Sequence, residues 1–556
     1  MTRQLPGARA ARGFAAAIAV LAVVSACDAA SGTPASASPM GASGAGPSVV
    51  ASAQPPSDQS PGAPPATEPT TSPSPAPSVA PAQGVLAVVA HEAAVSRVPL
   101  SVSDRAWEPV VATHPTDPNR VAVVYVHRGP GAACGTNPVV RISSDGGRTW
   151  RSTRGHPGAG SGRGMGIHAA LAWGPGPSDK ARLYWANMTV PSCGDGRFSL
   201  STAYSDDEGT TWSALRVERR TRPWVGGFPD LAVDRNPASP NYGTVYVAYN
   251  WLPPGASAPG FRLLASNDFG RTWTPAEVPV AVRPRGYPES WRIAYRVRPA
   301  PDGTLFASWY QVDMRHWDRT NIFAKGGPTN VGRLAVVIAH IRFDRSMHRF
   351  AVGRPRVAAT IAENAFTASG ASAAGTAGNI RPDPIWQQGV DVDPSTGRLY
   401  VAVAGYGAAS HGRPRGTIRV GHSDDGGATW SFTVLPPLGS IGGRRQSSIK
   451  PNLVAGDGYV VVTFQALDDV SANATVGNAF TFSSDGGSTW HAPVAVSAKR
   501  WRASALGGVV NGIGLRERAE RLANGDVFWA YGDARHATAS ATGRTAIYGA
   551  LIHIQR

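Results

Sequence analysis

The sequence predicts an all-β fold, a β-propeller of seven four-stranded blades, and three observations predict it. The first is a repeated octapeptide. SSDGGRTW (143–150), SDDEGTTW (205–212), SNDFGRTW (266–273), SDDGGATW (423–430) and SSDGGSTW (483–490) share the form S-x-D-x-G-x-T-W. Their aspartates, Asp145, Asp207, Asp268, Asp425 and Asp485, follow one another at steps of 62, 61, 157 and 60 residues. The long step leaves room for one repeat that has lost the motif, near Phe343–Phe350. The second observation is a set of seven short β-type runs in register with the first: RVAVVYV (120–126), RLYWA (182–186), TVYVAY (244–249), TLFASWY (304–310), RLYVAV (398–403), YVVVTF (459–464) and DVFWAY (526–531). They are rich in Val, Tyr, Phe and Trp and are entered from Gly, Asn or Asp turns. The third is composition. Gly (64) and Pro (47) make up a fifth of the 556 residues and charged residues only 16%, which excludes a coiled coil or a helical bundle. No segment sustains a helical period.

Each unit is therefore about four strands in about 60 residues, and such units bury their faces only against neighbouring copies. Closing the array into a propeller satisfies every copy. Six or eight blades are the alternatives.

In chain order, residues 1–26 come first. Arg3, Arg9 and Arg12 precede an apolar run from Phe14 to Val24, then Ser25, Ala26 and Cys27. This is the layout of a secretory signal. The run is short for a membrane span. Val24-Ser25-Ala26-Cys27 resembles a bacterial lipobox, which implies cleavage before Cys27 and a lipid on it. Residues 27–84 are almost entirely Ala, Ser, Pro, Gly and Thr. Such a segment lacks the apolar surface to fold and forms a disordered tether. The expected location is the outer face of the bacterial cell membrane, and no later stretch is long enough to cross a bilayer.

Residues 85–556 are the propeller. Three cations and three acids cancel within 1–84, so the whole net charge of +16 lies on the propeller. Only four of the 53 basic residues are lysines. A surface of this kind is attracted to acidic sugars, wall polymers or anionic lipid. Export and the lack of a nucleic-acid motif argue against nucleic acid. No cofactor and no metal are expected, and a monomer is. The last repeat ends after AIYGALIHI without an octapeptide. GVLAVVA (84–90) can supply the missing strand and join the two ends.

The octapeptide itself reads as a structural turn. Its Ser and Asp bond backbone N–H groups of their own turn, and its Gly takes positive φ. It closely resembles the Asp-box, or bacterial neuraminidase repeat, of sialidases and other propellers, some catalytic and some not. That resemblance implies that the boxes lie on the face opposite the binding site.

The site is accordingly expected at the hub, where the innermost strands begin. Aligning the repeats there collects Glu108, His168, Phe228, Asp230, Arg292, Gln387, Lys450 and Arg516. The outlet of the following strand adds His127, Arg128, Asn250, Tyr310, Gln311, Asp313, Gln465, Asp533 and Arg535. The resemblance to sialidases is incomplete here. Their opening Arg-Ile-Pro is matched by Trp107-Glu108-Pro109, with Arg105 nearby but out of register. Arg128 fits a second family Arg, yet Gly129 to Cys134 holds no acid. Arg292-Ile293 resembles the opening but sits in the fourth repeat. A Tyr–Glu pair is not identifiable near Arg516–Arg521.

Two readings follow. As a binding module, Arg128, His168, Arg292, Gln387, Lys450 and Arg535 hold an anionic glycan or a cell-surface partner. As an exo-α-sialidase or related glycoside hydrolase, the chain needs two groups within about 5–10 Å of each other, and Glu108, Asp230, Asp313, Asp533 and Tyr310 are the candidates. Cys134 and Cys193 fall after the second strands of repeats one and two. A disulfide there closes about 60 residues and contributes on the order of 3–4 kcal/mol; two free thiols are the alternative.

Overall fold

The computed structural model describes residues 86–96, 105–128, 136–153, 165–190, 199–218, 225–251, 260–278, 290–313, 334–361, 389–407, 415–441, 444–468, 474–497, 499–506, 517–537 and 544–555. They form a seven-bladed propeller, each blade an antiparallel meander counted outward from the hub. Blade 1 is Arg105–Thr113, Val121–Arg128, Thr136–Ser143 and Arg151–Ser152. Blade 2 is Met165–Pro175, Ala181–Val190, Ser199–Ser205 and Arg216–Glu218. Blade 3 is Val225–Val233, Val245–Trp251, Gly260–Ser266 and Thr274–Val278. Blade 4 is Ser290–Pro299, Leu305–Asp313 and Leu334–Asp344, with an outer strand split into Arg349–Val352 and Arg356–Ile361. Blade 5 is Gly389–Val392, Leu399–Gly407, Arg415–Ser423 and Ser431–Val434. Blade 6 is Ser447–Gly456, Tyr459–Leu467 and Thr475–Ser483, with its outer strand split into Val494–Ala495 and Trp501–Arg502.

Blade 7 closes the ring. Arg518–Arg521, Val527–Asp533 and Ala546–Gln555 come from the end of the chain, and the outer strand, Leu86–Ala94, comes from its beginning. The closing pair runs from Leu86 opposite Gln555 to Ala94 opposite Tyr548. The core is a circuit of apolar clusters, each shared by two adjacent blades: 1 with 2, 2 with 3, 3 with 4, 5 with 6, 6 with 7, and 7 with 1. No blade buries both of its faces alone, so closure stabilises all of them together.

The octapeptides are the turns between third and fourth strands. In blade 1, Ser143 Oγ donates to Asp145 Oδ1 (2.7 Å) and accepts from Gly147 N (2.8 Å). Asp145 also accepts from Thr149 N (2.9 Å) and Thr149 Oγ1 (2.5 Å). The same Ser–Asp–Gly–Thr bonding recurs in the turns of Asp207, Asp268, Asp425 and Asp485. Gly147 has φ +93°, and a Cβ there would lie 2.3 Å from the Phe528 ring of blade 7. Trp150 packs on that same ring, 5.7 Å between centroids. Each box thus ties its own turn to a neighbouring blade. In blade 4 the motif is lost where the long step implied. There a tighter turn follows Asp344, whose Oδ1 accepts from Ser346 N and Met347 N.

Candidate functional site

The innermost strands of blades 1, 2, 3, 4 and 6 carry a register shift at one level. It falls between Trp107 and Val110, Ile167 and Ala170, Gly227 and Asp230, Ile293 and Arg296, and Ile449 and Asn452. Such bulges bend a strand and re-aim a side chain. In four of them the first bulged residue is left-handed without being glycine: Glu108 (φ 57°), His168 (55°), Phe228 (53°) and Lys450 (54°). Each such conformation costs roughly 1–3 kcal/mol and persists where the surroundings over-determine it. Proline follows at Pro109, Pro229 and Pro451. A proline lacks the N–H that a bulge leaves without a ladder partner.

These residues meet around the hub. His168 Nδ1 and Glu108 Oε2 are 2.8 Å apart, and the His168 ring lies on Phe228 at 4.1 Å between centroids. Blades 1, 2 and 3 are linked in one chain of contacts. Glu108, His168 and Lys450 are buried, and Phe228 is half-buried. Lys450 is held near Glu517, a fully buried residue absent from the sequence-derived ring. Glu517 Oε1 accepts from Gln465 Nε2 (3.0 Å) and Gly532 N (3.1 Å). Burial pushes its carboxyl up to about 7, against the pull of Lys450 and of the Gly532 amide.

Asp533 and Arg535 form a second group. Arg535 Nη2 lies 2.7 Å from Asp533 Oδ2 and 2.7 Å from Glu92 Oε1, with its guanidinium 3.9 Å over the Tyr548 ring. Tyr531 donates to Glu92 as well. A Tyr–Glu pair therefore exists, with its Glu on the closing strand. Tyr531 has no exposed surface, and the pair fastens that strand.

Asp230 lies two residues deeper than the bulges. Arg518 donates to its Oδ1 from the far side of the hub, and Val297 N donates to Oδ2 at 2.9 Å. Arg296 and Arg298 lie 3.8 and 3.6 Å away. Strand pairing puts Asp230, Arg296 and Arg518 at one level and Arg298, Asp391 and Glu520 two residues further on. Arg298 Nε is 3.2 Å from Asp391 Oδ1, and its Nη2 is 3.6 Å from Glu520 Oε1. Three guanidiniums and three carboxylates thus plug the hub in two layers. The first layer is closed, with side-chain exposures of 0% for Asp230, 6% for Arg296 and 3% for Arg518.

The remaining expectations divide. Tyr310 is fully buried beside Arg296, and burial pushes its phenol up. Gln311, Asn250 and Gln465 are buried at the outlets of their strands, and His127 is half-buried. Arg292 needs correction. The register shift puts Ala294, not Arg292, level with Glu108, and Arg292 pairs with Gln311 nearer the strand's start. The same bulge occurs in the other four strands, so the offset comes from the match of Arg292-Ile293 and not from an insertion. Arg128 and Asp313 end their strands opposite Arg105 and Ser290; their side chains lie outside the described residues, as do Gln387, Arg516, Cys27, Cys134 and Cys193. Among the described residues, no group of three or more His, Cys, Asp or Glu is arranged to hold a metal ion.

The plug was missed because it is long-range, yet it leaves a trace. Arg296-Val297-Arg298 and Arg518-Ala519-Glu520 place charges at alternate positions where blade 1 has Val110 and Ala112. The Glu-Pro, Phe-Pro and Lys-Pro pairs are a comparable trace of the bulges.

Neither a protein-family model nor a curated protein matches the chain in sequence. Among solved structures it is similar to an α-L-arabinofuranosidase of Fusarium graminearum, at 12% identity over 69% of this chain and 92% of that one, with a TM-score of 0.39. It is also similar to a sialidase of Streptococcus pneumoniae (11%, 82% and 70%, TM-score 0.35) and to the Trypanosoma rangeli sialidase (9%, 84% and 60%, TM-score 0.35). At such identities the likeness is one of fold alone, and the chemistry has to be read from this chain's own residues.

Proposed function

We propose that the propeller binds an anionic glycan at the hub, on the face opposite the octapeptide turns. The observation that carries this reading is the bulge ring. Four strained, non-glycine residues from blades 1, 2, 3 and 6 bring a carboxylate, an imidazole, an aromatic ring and an ammonium to one level. A purely structural hub has no need of that mixture. Phe228 offers a ring on which the C–H face of a sugar can rest, and Lys450 supplies a cation for an acidic group. Glu108 and His168 offer bonds to hydroxyls.

The wider reading places this domain on a cell surface. It is an exported lipoprotein held by a lipid on Cys27 and extended by residues 28–84, with Cys134 bonded to Cys193. Mass spectrometry of the protein extracted from membranes tests both: an unlipidated Cys27, or two free thiols, would remove the respective assignment.

Glu517 favours a second reading, a glycoside hydrolase of sialidase type. A carboxyl that stays protonated to about pH 7 has the property a general acid needs. One experiment separates the readings. The purified protein is titrated with sialylated and uronate-bearing glycans and assayed on fluorogenic sialosides and arabinofuranosides. The binding reading expects no turnover and at least a tenfold loss of glycan affinity in Lys450→Ala and Phe228→Ala. Turnover abolished by Glu517→Gln would establish the hydrolase instead. No binding and no turnover would reject both.

A further inference from the structure

The hub has a second mouth, on the face of the octapeptide turns. There the ends of the innermost strands enclose a recess of about 370 Å³. Its floor is the second layer of the plug, Arg298, Asp391 and Glu520, whose side chains keep 13, 19 and 22% exposure. The closed first layer separates this floor from the bulge ring. The recess is therefore a separate compartment.

One wall is Arg235, from the turn that ends the innermost strand of blade 3. Its Nη1 donates to Thr113 O (3.0 Å) and Thr113 Oγ1 (3.2 Å) of blade 1. Thr113 Oγ1 in turn donates to Arg521 O (2.7 Å), so the anchor is fixed by blade 7. Beyond Thr113, Arg235 lies close enough to Glu520 and Asp391 to feel their charge, and it lines the recess as an exposed residue. The neighbouring charges are satisfied. Arg521 forms a two-pronged pair with Asp457 (2.8 and 3.2 Å). Asp234 turns to Ser239 Oγ and Asn236 N. The plug's three cations balance its three anions. Arg235 adds one positive charge beyond these pairs, fixed at Nη1 by Thr113 and drawn toward the floor carboxylates Glu520 and Asp391.

We propose that this recess is a second ligand site, for a small hydroxylated monoanion of the sugar-acid type. The ligand's carboxylate takes the free edge of Arg235, because a guanidinium fork matches a carboxylate with two parallel bonds. Its hydroxyls donate to the carboxylates of Asp391 and Glu520, which no neutral or cationic wall would favour. The apolar faces of Pro115 and Pro301 border the opening. The volume is at the small end of the range for ligand pockets, which is about 300–1,000 Å³, so it suits one sugar unit. The site does not depend on the glycan reading of the opposite face.

The test is calorimetric titration of the full chain with sodium glucuronate, with glucose as the neutral comparison. A binding event controlled by Arg235 is expected for glucuronate and none for glucose. Arg235→Gln should weaken it at least tenfold. Arg235→Lys, which keeps the charge and loses the fork, should weaken it less. Lys450→Ala removes whatever the opposite ring binds and should leave the Arg235-dependent event in place. Absence of glucuronate binding, or binding indifferent to both Arg235 variants, would overturn the proposal. Binding lost in Lys450→Ala but kept in Arg235→Gln would move the acid to the opposite face and overturn it too.

Discussion

Glu517 shows what a single side chain at this hub costs and offers. Its carboxyl is sealed, bonded to Gln465 and Gly532, and raised to about 7 chiefly by burial. An unfolded glutamate ionises near 4.3. Between these values the folded chain holds a proton that the unfolded chain has lost. Stability attributable to Glu517 is therefore greatest below about pH 4 and declines as pH rises toward 7. Glu517→Gln fixes the neutral form. Thermal unfolding of both proteins should show the wild type losing ground to the variant steadily from pH 4 to 7 and no further above pH 8. A constant difference across that range would mean that Glu517 is ionised throughout. The octapeptide aspartates behave oppositely. Burial works against ionisation of Asp145, but its bonds from Thr149, Ser143 and Arg148 outweigh it and hold the carboxyl at about 2. The stabilisation from Asp145 is present above about pH 4 and is lost as acid approaches pH 2.

Among the elements, the closing strand Leu86–Ala94 has the most at stake. It completes a blade whose other strands come from the chain's end, and it directly follows the segment expected to tether the domain. Pairing with Ala546–Gln555 fixes its register, and Glu92 fastens its face through Arg535 and Tyr531. Glu92→Ala removes one of the two carboxylates that pair with Arg535, leaving Asp533, and should destabilise the fold by about 1.5–3 kcal/mol. Chemical denaturation measures that loss, and limited proteolysis should cut first near residue 90. A change under about 0.5 kcal/mol would show that the strand is held by its ladder alone. The closing strand was legible in the sequence, as were the blades, because both follow from local signals: alternating β-type runs and turn chemistry within eight residues. The bulges were only half legible. Glu108, His168, Phe228 and Lys450 share one level, whereas Arg292 lies two residues earlier, since Arg292-Ile293 mimics a strand opening that blade 4 does not have there. Glu517 was overlooked beside Arg516 because burial, not residue type, is what makes it unusual.

For the molecule as a whole, closure turns the strand starts of five blades into one ring and seven strand ends into one recess. The ion pairs of the plug join residues as far apart as Asp230 and Arg518, 288 positions along the chain. No local pattern encodes such a contact. It arises only when blades 3, 4, 5 and 7 converge on one axis. That convergence also separates the two faces, so the ring above and the recess below can differ in chemistry while sharing the same strands. The account's central claim is that the ring of bulged residues is where a glycan engages. Hydrogen–deuterium exchange of the protein, with and without a bound sialylated or uronate-bearing glycan, tests this most directly. The account predicts slowed exchange confined to segments 105–110, 165–170, 225–230 and 447–452. Slowing confined to the octapeptide turns, or no slowing at the four bulges when the glycan is demonstrably bound, would contradict it.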